Sequence, residues 1–143
     1  MTSTGTEWII DAAGCRSEAL RSGLLLDALC LAIIDDLDLH VVGAAQWHQF
    51  PEPGGWTGMF LLTESHLTIH TFPEHGLATL NLYCCRERDR WDWEERLGDF
   101  LGATSVSVRR IMRGQLQIDD FRLQIEEGGI SVLQSAIQKV GGR

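Results

Sequence analysis

The sequence lacks any long uninterrupted hydrophobic run. Its longest apolar stretch, "LLLDALCLAII", is interrupted by Asp27 and ends at Asp35 and Asp36, so it falls short of the roughly 20 residues that a membrane-spanning helix needs. The first residues, "MTSTGTEW", also lack the basic and apolar regions of a signal peptide. We therefore expect a cytoplasmic protein that does not enter a membrane.

Basic residues are scarce as well. The 12 lysines and arginines are outnumbered by 20 aspartates and glutamates, which gives a formal net charge of -8 at pH 7. This balance disfavours a nucleic-acid-binding surface, because phosphates would be repelled, and it suits a cationic ligand. The sequence also has no CxxC spacing, so we expect reduced thiols at all of its cysteines: Cys15, Cys30, Cys84 and Cys85.

Length and composition indicate a single domain that covers residues 1–143. With 143 residues, of which 44% are hydrophobic and 22% charged, the chain can bury one sizeable core but not two. No internal repeat or low-complexity linker divides it.

The periodicity of the chain predicts an α+β fold. Strand-like segments are "GTEWIIDAAGC", "DLHVVGAAQWHQF", "TGMFLLT", "SHLTIHTF", "LATLNLYCC" and "TSVSVRRIM". Helical spacing occurs in "SEALRSGLLLDALCLAIIDDL", with Ser17 at the N-cap, and in "RDRWDWEERLGDFLG". The order β-α-β-β-β-β-α-β favours a two-layer α/β sandwich, with a mainly antiparallel sheet and the helices packed on one face.

Residues 115–143 form a C-terminal extension in this interpretation. Four of its apolar residues share one helical face: Ile130, Leu133, Ile137 and Val140. We expect a helix there that caps the sheet or reaches a neighbouring subunit.

Alternation along the strands predicts which side chains face the core. In "LATLNLYCC" it places Cys84 on the apolar face and Cys85 on the polar face. Cys84 is therefore predicted to be a core thiol and Cys85 a candidate reagent, although a lone cysteine most often only packs. In "SHLTIHTF" the same alternation places His66 and His70 on the polar face.

The stretch "TESHLTIHTFPEHG", residues 63–76, gathers histidines that could be solvated surface, a proton-transfer pair or metal ligands. Zinc at His66, His70 and His75 is disfavoured, because residues four apart on a strand lie about 13 Å apart at ~3.3 Å per residue. We expect no metal. A Ser–His nucleophile is also disfavoured, because Ser65 lacks the flanking glycines of a nucleophile elbow and adjacent strand residues point oppositely.

The remaining chemistry is a serine that reacts with its own backbone. Attack of the Ser65 hydroxyl on the Glu64 carbonyl would convert the peptide into an ester, and β-elimination would leave a dehydroalanine that hydrolyses to a pyruvoyl group. Such a ketone forms a Schiff base with a substrate amine and draws electrons from the substrate α-carbon. His70 is a suitable residue for the proton transfers at the scissile bond, and Cys85 is a candidate acid for protonating the product carbanion.

The segments "HQFPEPGGWTGMFLLTESH", "ESHLTIHTFPEHG" and "NLYCC" resemble the small prokaryotic S-adenosylmethionine decarboxylase proenzymes, which self-cleave between Glu and Ser of an ESH motif. The resemblance runs from about Gly5 to Gly114. It implies a two-layer α/β sandwich and a pyruvoyl-dependent decarboxylase that makes the aminopropyl donor for spermidine synthesis. It also implies a homodimer with active sites at the subunit interface.

By this resemblance, Ser65 is the pyruvoyl precursor and Glu64 the new C-terminus. His70 is the proton donor or acceptor of processing, and Cys85 is the catalytic acid.

The same resemblance implies the substrate-binding residues. Phe50 and Phe72 match positions that stack on adenine, and Glu74 matches an acidic residue that accepts hydrogen bonds from ribose hydroxyls. Thr57 stands where a small hydroxyl residue assists processing.

This sequence departs from the family pattern at several positions. Phe72 stands where the family usually has tryptophan, Glu7 where it has histidine and Arg86 where it has glycine, and the loop between Phe50 and Thr57 is one residue longer. Two alternatives therefore stay open: a decarboxylase of the same family that acts on arginine or ornithine, and a non-catalytic homologue that serves as a binding or scaffold protein.

Alternation along the strand separates the two residues, because it places Ser65 on the apolar face and His70 on the polar face. We therefore predict a bend or bulge between residues 65 and 70, or a strand that begins after the serine. A straight ladder through both residues would argue against His70 as the processing residue.

Overall fold

The structure, a computed structural model, describes residues 4–114. The predicted helical face of the C-terminal extension, with Ile130, Leu133, Ile137 and Val140, lies outside the described residues. The elements, in chain order, are β1 (Gly5–Ala13), α1 (Ser17–Leu20), α2 (Gly23–Asp36), β2 (Gln46–Gln49), β3 (Trp56–Leu62), β4 (Ser65–Phe72), a 3-10 turn (Pro73–His75), β5 (Leu77–Cys84), α3 (Trp93–Leu101) and β6 (Ser105–Arg113).

These six strands form one sheet in the order β2-β3-β4-β5-β1-β6. Every neighbouring pair is antiparallel. Strands β3, β4 and β5 form an antiparallel meander, whereas β1 pairs with β5 on one side and with β6 on the other. The predicted α+β fold with a mainly antiparallel sheet is confirmed.

One face of the sheet is buried together with the helices. Alternate residues of β4 and β5 point to it, as the burial pattern along both strands shows. The core side chains with almost no exposure include Phe60, Leu67, Ile69 and Leu82 from strands, and Leu26, Leu29, Ile33, Trp93, Leu97 and Leu101 from helices. Burial of each large apolar side chain stabilises the fold by roughly 1.5–3 kcal/mol. The opposite face carries the exposed and half-buried residues of the strands, and we call it the open face.

The first helix is not continuous, and the prediction of an N-cap at Ser17 is wrong. Ser17 is the first residue of α1 and Arg16 occupies its N-cap position, whereas Ser22 caps α2 by accepting a hydrogen bond from the Leu25 amide at 3.3 Å. At this break, side chains from the strands donate hydrogen bonds to backbone carbonyls of the helical segment. Thr71 Oγ1 donates to the Leu20 carbonyl at 2.8 Å, and Trp56 Nε1 donates to the Arg21 carbonyl at 3.0 Å.

The second strand is shorter than predicted. The segment "DLHVVGAAQWHQF" contributes only the four residues of β2, preceded by an isolated bridge between Val41 and Leu62. Gly43, with φ of 72°, turns the chain between these two pairings. Among residues 4–114, no helix has both the length and the apolar character needed to cross a membrane.

Candidate active site

Strand β4 positions both Ser65 and His70, and it does so without a bulge. Its pairing with β3 and with β5 is unbroken from the serine onward, and burial alternates along its whole length. Ser65 is 9% exposed and lies on the helix-covered face, whereas His70 is exposed on the open face. The predicted bend between residues 65 and 70 is therefore wrong, as is a strand that begins after the serine. The straight ladder therefore argues against His70 as the processing residue for Ser65 of the same chain.

The Glu64–Ser65 peptide lies at the turn that joins β3 to β4. The Cys85 amide donates a hydrogen bond to the carbonyl oxygen of Glu64 at 2.8 Å. The next residue, Arg86, holds the side chain of Glu64, with Nε 2.6 Å from Oε2. The end of β5 therefore fixes both the carbonyl and the carboxylate of the residue that precedes the serine.

Two adjacent cysteines lie in different environments at the end of β5: Cys84 is its last residue and Cys85 follows it. Cys84 is buried, with 2% exposure, and pairs across the sheet with Ser65, whereas Cys85 is exposed. Burial raises the pKa of the Cys84 thiol, because the thiolate would lose its solvation. The predicted division into a core thiol and an accessible thiol is confirmed.

A cavity of about 420 Å³ opens beside the serine on the open side of the molecule. Its lining includes Glu64, Ser65 and Cys85, together with four residues that sequence reasoning did not assign to the site: Glu7, His66, Tyr83 and Arg113. The His66 and Tyr83 rings stack with centroids 5.5 Å apart and planes at 8°. We call this cavity and its lining the cleavage half-site.

Glu7 supplies a carboxylate to the cleavage half-site. Asn81 Nδ2 donates to its Oε1 at 2.8 Å, and the Arg113 guanidinium donates to its Oε2. The Asn81 hydrogen bond, aided by Arg113, lowers the pKa of Glu7 below its usual range, although partial burial acts in the opposite direction. Glu7 is therefore a carboxylate at neutral pH.

A second group of predicted residues lies at the other end of β4. Thr57 and His70 are cross-strand partners, and Thr57 Oγ1 shares a 3.1 Å hydrogen bond with His70 Nδ1. Beyond them, a cavity of about 210 Å³ is lined by Phe50, Phe72 and Glu74, together with Pro53, Gly55 and Thr71. We call the five predicted residues of this group the aromatic half-site: Phe50, Thr57, His70, Phe72 and Glu74.

The loop before β3 reaches the aromatic half-site because Gly55 has no side chain. A Cβ at Gly55 would lie 2.2 Å from the carbonyl oxygen of Thr71, which is closer than any real contact. The Trp56 amide then donates to Thr71 Oγ1 at 2.9 Å, which fixes the loop against β4. This close approach keeps Phe50 beside Phe72.

The structure thus divides the predicted site residues into two groups. Ser65 and His70 are five positions apart, which corresponds to about 17 Å along a strand at ~3.3 Å per residue. Ser65, Glu64 and Cys85 come together at one end, and the aromatic half-site assembles at the other. The end of β4 with the serine therefore lacks the predicted processing histidine and the predicted substrate-binding residues, and the other end lacks the serine and the cysteine.

Comparisons with known proteins identify the class to which this fold and site belong. The family model described as S-adenosylmethionine decarboxylase matches residues 6–114. The chain therefore belongs to the S-adenosylmethionine decarboxylase family, as the ESH motif predicts.

Individual relatives agree with this assignment. The S-adenosylmethionine decarboxylase proenzyme of Picrophilus torridus is 33% identical over 125 residues, which cover 85% of this chain and 92% of that protein. The proenzyme of Thermoplasma acidophilum is 41% identical over 88 residues, and this match spans 61% of the chain and 66% of that protein. Among solved structures, the adenosylmethionine decarboxylase of Aquifex aeolicus VF5 superposes with a TM-score of 0.69 at 25% identity, covering 82% of this chain and 96% of that one.

Proposed function

We propose that this protein is a self-processing, pyruvoyl-dependent S-adenosylmethionine decarboxylase. The observation that carries the proposal is the hydrogen bond from the Cys85 amide to the Glu64 carbonyl at 2.8 Å, at a Glu–Ser peptide in a chain of this family. That amide points at the oxygen on which negative charge develops when Ser65 attacks. A backbone donor in this position stabilises an oxyanion.

Processing rearranges the Glu64–Ser65 peptide. The Ser65 hydroxyl loses its proton and its oxygen bonds to the Glu64 carbonyl carbon, after which the carbon–nitrogen bond breaks and leaves an ester and a free amine. Removal of the Ser65 α-proton then breaks the Cβ–O bond, which releases Glu64 as a carboxylate and leaves a dehydroalanine. Addition of water and loss of ammonia yield the pyruvoyl group.

The residues around Ser65 fit a pyruvoyl group. The group supplies a ketone that condenses with the substrate amine and accepts electrons from the carboxylate-bearing carbon. Cys85 lies in the same cavity as Ser65 and is exposed, so it can donate a proton to the product carbon once carbon dioxide has left. This role needs a free thiol, which supports a cytoplasmic, reducing location.

A second copy of the chain completes the active site. His70 with Thr57 cannot reach Ser65 of its own chain, because the two lie at opposite ends of the straight strand β4. When two open faces pack with two-fold symmetry, the cleavage half-site of one copy meets the aromatic half-site of the other. Apolar side chains on the open face, with 52% exposure at Met59 and 60% at Leu61, support such packing.

In the assembled homodimer the aromatic half-site holds the nucleoside. Phe50 and Phe72 border one cavity and can sandwich an adenine ring, while Glu74 can accept hydrogen bonds from ribose hydroxyls. The net charge of -8 favours a sulfonium cation over an anionic substrate. A small amino acid such as arginine or ornithine would leave the aromatic cavity unfilled.

The test is the intact mass of the full-length chain under denaturing conditions, followed by release of carbon dioxide from carboxyl-labelled substrates. We expect two fragments that divide between Glu64 and Ser65, with a pyruvoyl group on the second, and carbon dioxide from S-adenosylmethionine but not from arginine or ornithine. A Ser65→Ala variant should stay in one piece. A wild-type chain that remains uncleaved on long incubation would contradict the proposal and favour a non-catalytic homologue.

A further inference from the structure

Arg86 occupies a distinctive position beside the scissile peptide. It follows Cys85 directly, and its Nε lies 2.6 Å from Oε2 of Glu64. Consecutive residues therefore hold the same glutamate, since the Cys85 amide binds its main-chain carbonyl at 2.8 Å and Arg86 binds its side-chain carboxylate.

The charge of the Glu64 side chain opposes the processing reaction. Attack by Ser65 places a negative charge on the Glu64 carbonyl oxygen, only a few bonds away from the carboxylate of the same residue. Like charges at such separations repel strongly at a partly desolvated site. A guanidinium paired with the carboxylate cancels most of this repulsion and adds attraction for the developing oxyanion.

The same pairing gains importance once the peptide has broken. Glu64 then carries a new α-carboxylate in addition to its side-chain carboxylate, so two negative charges lie near the end of β5. Arg86 is placed to balance them, because its guanidinium already contacts Glu64. Without it, the charged end of the N-terminal fragment would be repelled by Glu7, which lines the same cavity.

A purely structural role does not account for the pair. The Arg86 side chain is 70% exposed and that of Glu64 is 40% exposed, and exposed ion pairs contribute little to folding stability. We propose, on the basis of the self-cleavage proposed above, that Arg86 is a positioning residue for processing. It neutralises the Glu64 carboxylate. The Glu64 carbonyl oxygen can then take up negative charge while it remains hydrogen-bonded to the Cys85 amide.

The chain offers a matched control. Arg90 pairs with Glu94 at the same distance of 2.6 Å, and both side chains are about half exposed. This pair lies at the start of α3, away from the cleavage half-site. An Arg90→Ala variant therefore removes an equivalent ion pair without touching the scissile peptide.

The experiment follows cleavage of the full chain over time after cell-free synthesis, by denaturing electrophoresis and intact mass, with thermal unfolding of each variant measured in parallel. We expect Arg86→Ala to slow cleavage about tenfold, since a neighbouring charge is left uncompensated. Arg86→Lys, which keeps the charge, should remain within about threefold of wild type. Arg90→Ala should cleave at the wild-type rate, and all variants should keep their unfolding temperature within about 2 °C.

A double variant separates charge from shape. If Arg86 acts by neutralising Glu64, then Arg86→Ala combined with Glu64→Gln should restore cleavage to within about threefold of wild type. Cleavage of Arg86→Ala at the wild-type rate would overturn the inference about Arg86. So would a double variant as slow as Arg86→Ala alone. Failure of the wild-type chain to cleave would instead overturn the proposed function itself, so the two failures are distinguishable.

Discussion

Ser65 and His70 lie on opposite faces of the same straight strand, the serine on the buried face and the histidine exposed on the open face. Unbroken pairing on both sides of β4 leaves no bulge that could bring them together. If both residues take part in processing, the histidine that serves a given serine belongs to another copy of the chain.

This relationship leads to a prediction for complementation between variants. Ser65→Ala and His70→Ala should each fail to cleave when produced alone. When the two are co-expressed in equal amounts, mixed dimers should contain one complete site, and about half of the His70→Ala chains should be cleaved if subunits pair at random. Mass spectrometry of the denatured mixture identifies which chain is cut. Cleavage of His70→Ala alone would remove His70 from the mechanism.

The two neighbouring cysteines should differ sharply in reactivity. In the folded protein, iodoacetamide should label one thiol per chain rapidly, at Cys85, because the other three are buried. Peptide mapping checks the site of labelling, and the denatured protein, in which all four thiols should react, provides the control.

Replacement of Cys85 should impair catalysis, whereas replacement of Cys84 should reduce only folding stability. Cys85→Ser should still cleave but lose decarboxylation by about 100-fold or more, because a hydroxyl is a far weaker acid than a thiol. Cys84→Ala should keep its activity and lose about 1 kcal/mol of unfolding free energy through the cavity it leaves. Steady-state kinetics and urea denaturation measure the two effects, and unchanged decarboxylation by Cys85→Ser would contradict the assigned role.

Phe72 should contribute to substrate binding through its ring. Phe72→Ala should raise KM for S-adenosylmethionine about tenfold, because stacking on a base is worth roughly 1–3 kcal/mol, whereas Phe72→Trp should preserve KM. Phe100→Ala, which alters an aromatic ring on α3, serves as the control outside the site. An unaltered KM in Phe72→Ala would remove the main support for a nucleoside in the aromatic half-site.

Glu7 should make folding stability depend on pH in the acid range. Its pKa in the folded protein lies below the ordinary value of 4.5, chiefly through the Asn81 hydrogen bond. The resulting stabilisation is fully present above about pH 4.5 and is lost as pH falls through the lowered pKa of the folded state. Glu7→Gln should therefore reduce the fall in unfolding free energy between about pH 5 and pH 2.5. Urea denaturation at several pH values measures this difference, and an equal fall in both proteins would contradict the assignment.

The local pattern of the sequence predicts the strands and their faces well. Period-2 alternation separates Cys84 from Cys85 correctly, because side-chain direction in a strand depends only on parity. The helix break at Arg21 is not predictable in this way. It depends on hydrogen bonds from Trp56 and Thr71, residues that are distant in the chain and whose placement follows from the tertiary fold.

The cleavage half-site also depends on residues that are distant in the chain and that the local sequence pattern does not bring together. Its motif residues Glu64 and Ser65 are visible in the sequence, but Glu7 joins them because β1 pairs with β5, which aligns Glu7 with Tyr83. Arg113 arrives through the further pairing of β1 with β6. Once those registers are known, the shared face of Glu7, Tyr83 and His66 follows from alternation alone.

The position of β1 in the sheet has a consequence for the processed protein. Cleavage between Glu64 and Ser65 assigns β1 to one fragment and both of its neighbours, β5 and β6, to the other. The fragments cannot part unless three ladders open. Strand β1 must leave β5, which it pairs from Thr6 to Ala12, and β6, which it pairs from Gly5 to Ala13, and β3 must leave β4. Cleavage of this peptide bond would therefore not release either fragment. If the chain is processed as proposed, each protomer should become an interleaved pair of chains that migrates as one particle until a denaturant unfolds the sheet.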